Sequence, residues 1–150
     1  MPETVNFSLP NQDGETVNSE DFAGKRLVMF FYPAAMTPGC TTESCDFRDS
    51  YQEFAEAGYE IVGVSPDTPA KNARFKEKEG LNFDLLSDQD KELATSLGAW
   101  GEKKMYGKTM EGLIRSTFVI GPDGEIEKAY RNVKATGHVA RIRKELGVDG

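Results

Sequence analysis

The sequence predicts an α/β fold, with a central mixed sheet flanked by helices and entered through an N-terminal β-hairpin. Short apolar runs alternate with segments of helical periodicity. The runs in the middle of the chain are nearly continuous, as in strands buried on both faces. The last two runs are joined by a tight Gly-Pro-Asp-Gly turn, which joins antiparallel neighbours. The sheet is therefore expected to be parallel in the middle and antiparallel at one end.

Phe7-Ser8-Leu9 and Thr16-Val17 flank Asn11-Gln12-Asp13-Gly14, a hairpin pattern. Leu27 to Tyr32 is an apolar run that reads as a central strand and is stopped by Pro33. A helix is predicted from about Thr37 to Ala57, closed by Gly58. Ile61 to Val64 is the next buried strand, ending at Ser65-Pro66-Asp67. Pro69 to Glu79 is helical, with Gly80 after it; Phe83 to Leu86 is a short strand; Asp90 to Leu97 is a short helix closed by Gly98. Gly101 to Gly112, polar and glycine-rich, reads as a loop. Ser116 to Ile120 and Glu125 to Tyr130 are strands around Gly121-Pro122-Asp123-Gly124. Thr136 caps a last helix running to about Leu146, before Gly147.

Composition narrows the function. The 150 residues suit one domain and one core, with 38% hydrophobic and 29% charged residues. A net charge of −7 argues against general binding to nucleic acid or to anionic membrane, since both attract basic surfaces. Met1 to Pro10 lacks the basic region and long apolar stretch of a secretory signal, and a cytoplasmic location is expected. Two cysteines and one histidine, His138, make neither a disulfide framework nor a good structural zinc site. In a reducing compartment a close cysteine pair points to catalysis or redox chemistry.

The chemistry concentrates where the central strand ends and the long helix begins, from Phe31 to Asp49. Thr37 is a suitable N-cap, and Pro38 suits the first helical position, where its missing N–H is not needed. Cys40 then falls in the first turn, where N–H groups lack intrahelical partners and the helix dipole is positive. Both favour the thiolate, which is the nucleophile. A Thr37 hydroxyl could add a hydrogen bond. Ser44, Phe47, Tyr51, Phe54 and Ala55 share the Cys40 face at intervals of three and four, and that face looks to the core. Cys45 lies about 140° around the helix, away from the stripe. An intact helix puts the two Cα atoms roughly 8–9 Å apart, whereas a disulfide needs them within about 7 Å. A Cys40–Cys45 disulfide thus demands that the start of the helix unwind.

The segment resembles the active-site motif of the peroxiredoxins, Pro-x-x-x-Thr/Ser-x-x-Cys, with Pro33, Thr37 and Cys40 at the motif positions. Thr-Pro-Gly-Cys-Thr-Thr-Glu-Ser-Cys-Asp-Phe-Arg-Asp, Trp100 to Lys108 and Arg115 to Ile120 are similar to the bacterioferritin comigratory protein, or peroxiredoxin Q, subfamily. The resemblance implies a single thioredoxin-like domain over 1–150 and a thiol peroxidase serving antioxidant defence and redox homeostasis. It implies that Cys40 attacks hydrogen peroxide or an alkyl hydroperoxide and becomes a sulfenic acid, which Cys45 resolves as a disulfide. Thioredoxin or a related dithiol protein would reduce that disulfide. No metal or organic cofactor is implied, and the expected state is a monomer, with a weak dimer as the alternative. The family's active-site arginine corresponds to Arg115; Arg48 is a rival by sequence proximity, yet lies some 12 Å further along the helix. Ala34-Ala35-Met36, between the motif positions, is more apolar than in many relatives, which bears on peroxide and reductant preference.

Plainer roles stand beside these. Cys40 could be a small buried hydrophobe, Cys45 a free thiol, Thr37 only a cap and Arg115 a surface ion pair. Pro33 offers shape and no chemical group. Trp100 and Tyr106 read as packing residues, His138 as structural or exposed. Two other classes stay open: a disulfide oxidoreductase, although Cys-x-x-Cys is absent, and a non-catalytic redox sensor.

Overall fold

The computed structural model describes residues 4–105, 108–131, 133 and 137–147. β1 (Ser8–Pro10) and β2 (Thr16–Asn18) form the expected antiparallel hairpin, followed by a 3-10 turn over Ser19–Phe22. Then come β3 (Arg26–Phe31), α1 (Pro38–Glu56), β4 (Tyr59–Ser65), α2 (Pro69–Glu79), β5 (Asp84–Ser87) and α3 (Glu92–Ser96). The chain continues through β6 (Trp100–Met105), β7 (Lys108–Leu113), β8 (Ser116–Ile120), β9 (Ile126–Tyr130) and α4 (His138–Leu146). A five-stranded sheet has the order β5-β4-β3-β8-β9, with β3, β4 and β5 parallel and β8 and β9 antiparallel to their neighbours. This is the mixed, helix-flanked sheet expected.

The loop expected between β5 and β8 is overturned. Gly101 to Gly112 is not a loop: β6 and β7 form an antiparallel ladder from Trp100↔Leu113 to Met105↔Lys108. Backbone ladder bonds need no apolar face, and Gly101 stands opposite Gly112, so the pairing leaves little trace in hydrophobic periodicity. Tyr106 and Thr136 lie outside the described residues, and Gly137 occupies the N-cap position of α4.

Strand β3 is buried from Leu27 to Phe31 and separates two apolar layers. Met29, Phe31, Val62, Val64 and Phe118 pack on one face of the sheet, where Trp100 is a partly buried neighbour. Val28, Phe30, Tyr32, Ile61, Phe75 and Leu85 pack on the other, under α1 and α4. Phe47 of α1 stacks on Phe30 with ring centroids 4.6 Å apart, and Phe54 follows it at 6.0 Å from Phe47. A Cβ on Gly63 would stand 2.9 Å from both Phe30 and Leu85, so only glycine admits this aromatic layer over β4. The buried stripe of α1 is Cys40, Glu43, Ser44, Phe47, Ser50 and Phe54. Tyr51 is half-buried and Ala55 is exposed, contrary to expectation: the 40-47-54 line faces the sheet, and Ala55 is rotated about 100° from Phe54.

Beneath the C-terminal ends of the parallel strands, buried polar groups pair with one another. The Tyr32 hydroxyl donates to Asn72 Oδ1 at 2.7 Å, and Asn72 Nδ2 donates to Ser87 Oγ at 3.2 Å. Ser65 Oγ donates to the same Asn72 oxygen at 3.3 Å. This network ties β3, β4, β5 and α2 together directly below the segment that carries Pro33 and Thr37. Satisfied networks of this kind rigidify the platform on which a site stands.

Candidate active site

The loop from Pro33 to Thr37 is shaped by three local features. Ala35 N–H donates to Asp67 Oδ2 at 2.7 Å, which fastens the loop to the turn after β4. Met36 adopts φ +65° and is exposed, a left-handed conformation uncommon for a side chain of this size. Thr37 Oγ1 donates to Ala34 O at 2.7 Å. Thr37 does occupy the N-cap with extended dihedrals, but its side chain makes no capping bond; the hydroxyl closes the loop instead. Pro33 shapes the half-buried entrance to this loop.

The first intrahelical bond of α1 runs from Thr41 N to Thr37 O at 2.9 Å. The amides of Gly39 and Cys40 therefore belong to the unpaired first turn, and Cys40, fully buried, sits over that positive end. Antiparallel pairing sets Ser116 of β8 opposite Phe31 of β3, so Arg115 emerges beside the end of β3. Its Nη2 lies 3.3 Å from Cys40 Sγ, and its Nη1 donates to Glu43 Oε1 at 2.7 Å. One guanidinium thus bridges a sulfur and a carboxylate that both project from α1.

Glu43 is fully buried, and its Oε2 is an unpaired buried atom. Burial pushes its carboxyl up to about 7 even though Arg115 pulls it down. His138 Nε2 lies 4.0 Å from that Oε2 and 2.8 Å from Thr117 Oγ1. The imidazole is buried, not exposed, and burial lowers it to about 4, assisted by Arg141 and Arg115. His138 is therefore neutral at pH 7.

Cys45 is half-buried on the other side of α1, and its thiol lies 3.6 Å from Glu79 Oε1. Burial pushes this thiol up; Arg48 acts in the opposite sense, and Glu79 and Asp49 reinforce the rise. Arg48 turns away from Cys40, donating to Asp49 Oδ1 at 3.0 Å and to the Glu79 carbonyl. Both cysteines are free thiols. The geometry brings Cys40 and Arg115 together and leaves Arg48 with Cys45.

The profile of the AhpC/TSA family matches residues 2–129. A putative peroxiredoxin of Mycobacterium tuberculosis is 56% identical over 95% of this chain and 90% of its own length. Peroxiredoxin Bcp of Escherichia coli K12 is 50% identical over 88% of this chain and 85% of its own. The chain belongs to the AhpC/TSA family of peroxiredoxins. Among solved structures, the bacterioferritin comigratory protein of Xanthomonas campestris superposes with TM-score 0.88 at 39% identity, covering 94% of this chain and 90% of that one. A PrxQ mutant of Xylella fastidiosa superposes with TM-score 0.91 at 32% identity, covering 98% and 94%.

As a peroxiredoxin of the Bcp/PrxQ type with a thioredoxin-like fold, the protein is a thiol peroxidase, acting on peroxides at the expense of a thiol reductant. Among the described residues no helix is long and apolar enough to cross a membrane. Three residues that the fold brings to this candidate site carry no sequence-based expectation of a role in it. Glu43 lies three positions after Cys40 and shares its face, so helical spacing alone could have placed it there. Asp67 was read only as part of a turn, and His138 carried no local signal.

Proposed function

We propose that Cys40 is the peroxidatic cysteine and Cys45 the resolving one, in a reaction that reduces hydrogen peroxide and alkyl hydroperoxides. The observation that carries this reading is the Cys40 sulfur at the first turn of α1, 3.3 Å from the Arg115 guanidinium. Charge there favours thiolate and can orient a peroxide oxygen. Cys40 thiolate attacks the terminal oxygen; the O–O bond breaks, the sulfur becomes S–OH, and the departing alkoxide or hydroxide takes a proton to leave as alcohol or water. Pro33 and Thr37 act through shape: the Thr37–Ala34 bond and the Ala35–Asp67 bond hold open the loop that a peroxide must enter.

The sulfenic acid is then attacked by Cys45. Both cysteines lie within α1, so the start of the helix must open for the disulfide to form. Thioredoxin or a related dithiol protein completes the cycle by exchange, in a single 150-residue domain working as a monomer in a reducing, cytoplasmic setting. The X. campestris relative is described for its alkyl peroxide reduction activity, which supports organic hydroperoxides as substrates here.

The test is a thiol count on reduced protein mixed with hydrogen peroxide or an alkyl hydroperoxide. The expected result is rapid loss of both thiols, an intramolecular disulfide by mass, and turnover once thioredoxin and its reductase are supplied. Oxidation without turnover with any dithiol donor would favour a sensor; preference for disulfide substrates would favour an oxidoreductase.

A further inference from the structure

Glu79 stands where helix electrostatics disfavour it. It is the last residue of α2, at the negative end of the helix dipole, while Lys76 and Lys78 in the same turn obey the usual rule. Residues that break a local rule tend to be held by a tertiary role. At Glu79 that role is visible. Its carboxylate lies 3.6 Å from the Cys45 sulfur, and its main-chain carbonyl accepts from Arg48 Nη1. Asn82 Nδ2, just beyond α2, donates back to Arg48 O at 3.4 Å. The end of α2 is thereby stitched to the stretch of α1 that carries Cys45.

We propose that Glu79 is a positioning residue for the resolving thiol, clamping Cys45 in the closed helix until the sulfenic acid on Cys40 is in place. The inference rests on the reading of Cys45 as the resolving cysteine. A thiol that donates to a carboxylate keeps its proton, and a thiol is a poor nucleophile. The charged groups facing Cys45 are Arg48 and Asp49 of α1 and Glu79 of α2; Asp46 is its half-buried chain neighbour. Of the acidic groups, only the Glu79 contact joins α1 to another element. When α1 opens, Cys45 leaves the carboxylate for water and ionises. It then attacks the Cys40 sulfur: an S–S bond forms, the S–OH bond breaks, and the hydroxide released takes up the proton that Cys45 gave up. The clamp therefore sets the time during which a second peroxide can convert Cys40 to sulfinic acid.

The experiment compares wild type, Glu79→Ala and Glu79→Gln, reading resolution separately from peroxide attack. Acid-quenched samples are scored by mass for sulfenic, disulfide and sulfinic forms. Glu79→Ala is expected to speed disulfide formation roughly two- to tenfold, the effect of one lost hydrogen bond, and to lower the sulfinic fraction at high peroxide by a similar factor. Glu79→Gln, which keeps an acceptor oxygen without charge, is expected to fall between. In a Cys40→Ser background both variants should alkylate faster at Cys45 at pH 7, with the alkylation profile displaced to lower pH, a readout that loosened packing alone would not displace. Unchanged or slower resolution with an unchanged Cys45 pH profile overturns the clamp. If Cys45→Ser sustains normal turnover, the resolving assignment falls and the clamp with it; if Cys45→Ser stalls while Glu79→Ala behaves as wild type, only the clamp falls.

Discussion

Replacing Arg115 with Met removes the guanidinium placed on the Cys40 sulfur while keeping much of the side-chain length. At 3.3 Å and an effective dielectric of roughly 20, a full charge pair is worth at most about 5 kcal/mol. The same guanidinium also holds Glu43 at 2.7 Å, and its side chain is 15% exposed, so the net interaction is closer to the 1.5–3 kcal/mol typical of roughly one hydrogen bond to a charged group. Peroxide attack at pH 7 should therefore slow roughly 10- to 100-fold, taking about 1.4 kcal/mol per tenfold. Arg115→Lys keeps the charge but lacks the planar fork that reaches sulfur and carboxylate together, and should lose less. Stopped-flow measurement of the bimolecular reaction of reduced protein with hydrogen peroxide gives the rate, and circular dichroism checks the fold. A folded Arg115→Met whose attack rate stays within about twofold of the parent would refute the reasoning.

Cys40→Ser should abolish peroxide reduction, whereas Cys45→Ser should consume about one equivalent and stall as a sulfenic or over-oxidised product, scored by mass. Gly39 lies within α1, so Gly39→Ala should stabilise the first turns by about 0.5–1 kcal/mol and slow disulfide formation about two- to fivefold, with more sulfinic acid. Equal amide-exchange protection of residues 39–46 in reduced and disulfide forms would show that the segment does not open. Glu43 and His138 should shape acid stability in opposite senses. Glu43 is raised from 4.5 to about 7, so its contribution is present below 4.5 and lost as pH rises through 7; His138 is lowered from 6.5 to about 4, so its contribution is present above 6.5 and lost as pH falls through 4. Each is worth on the order of 3 kcal/mol, and the two nearly cancel in the wild type. Urea unfolding between pH 4 and 8 should show stability rising with pH in Glu43→Gln and falling with pH in His138→Asn; slopes of the same sign would contradict this.

Local rules made much of the scaffold legible. The run Leu27 to Tyr32 became β3 because a continuous apolar stretch has no exposed face to serve. Pro69 to Glu79 became α2 with those bounds, because Thr68 caps it through its side chain and Gly80 ends it at φ +62°. The start of α1 followed from Thr37 at the N-cap and Pro38 at the first helical position, although the Thr37 hydroxyl bonds Ala34 O instead of capping the helix. The β6–β7 hairpin was missed because its pairing is satisfied by backbone and carries no apolar alternation to read.

The site divides along the same line. The placing of Thr37, Pro38 and Cys40 at the start of α1 was determined by the sequence itself, since helix periodicity and first-turn electrostatics depend only on near neighbours. What the nearby carboxyls and the imidazole do was decided by tertiary structure. Glu43 on a core-facing stripe has no evident purpose until β8, folding antiparallel to β3, delivers Arg115 from 72 positions away. His138 becomes a buried neutral ring only because α4 lays it against Thr117 and Glu43. Glu79 meets Cys45 only because α2 ends beside α1. Burial and opposing charge act through space, and a sequence read along its length records neither.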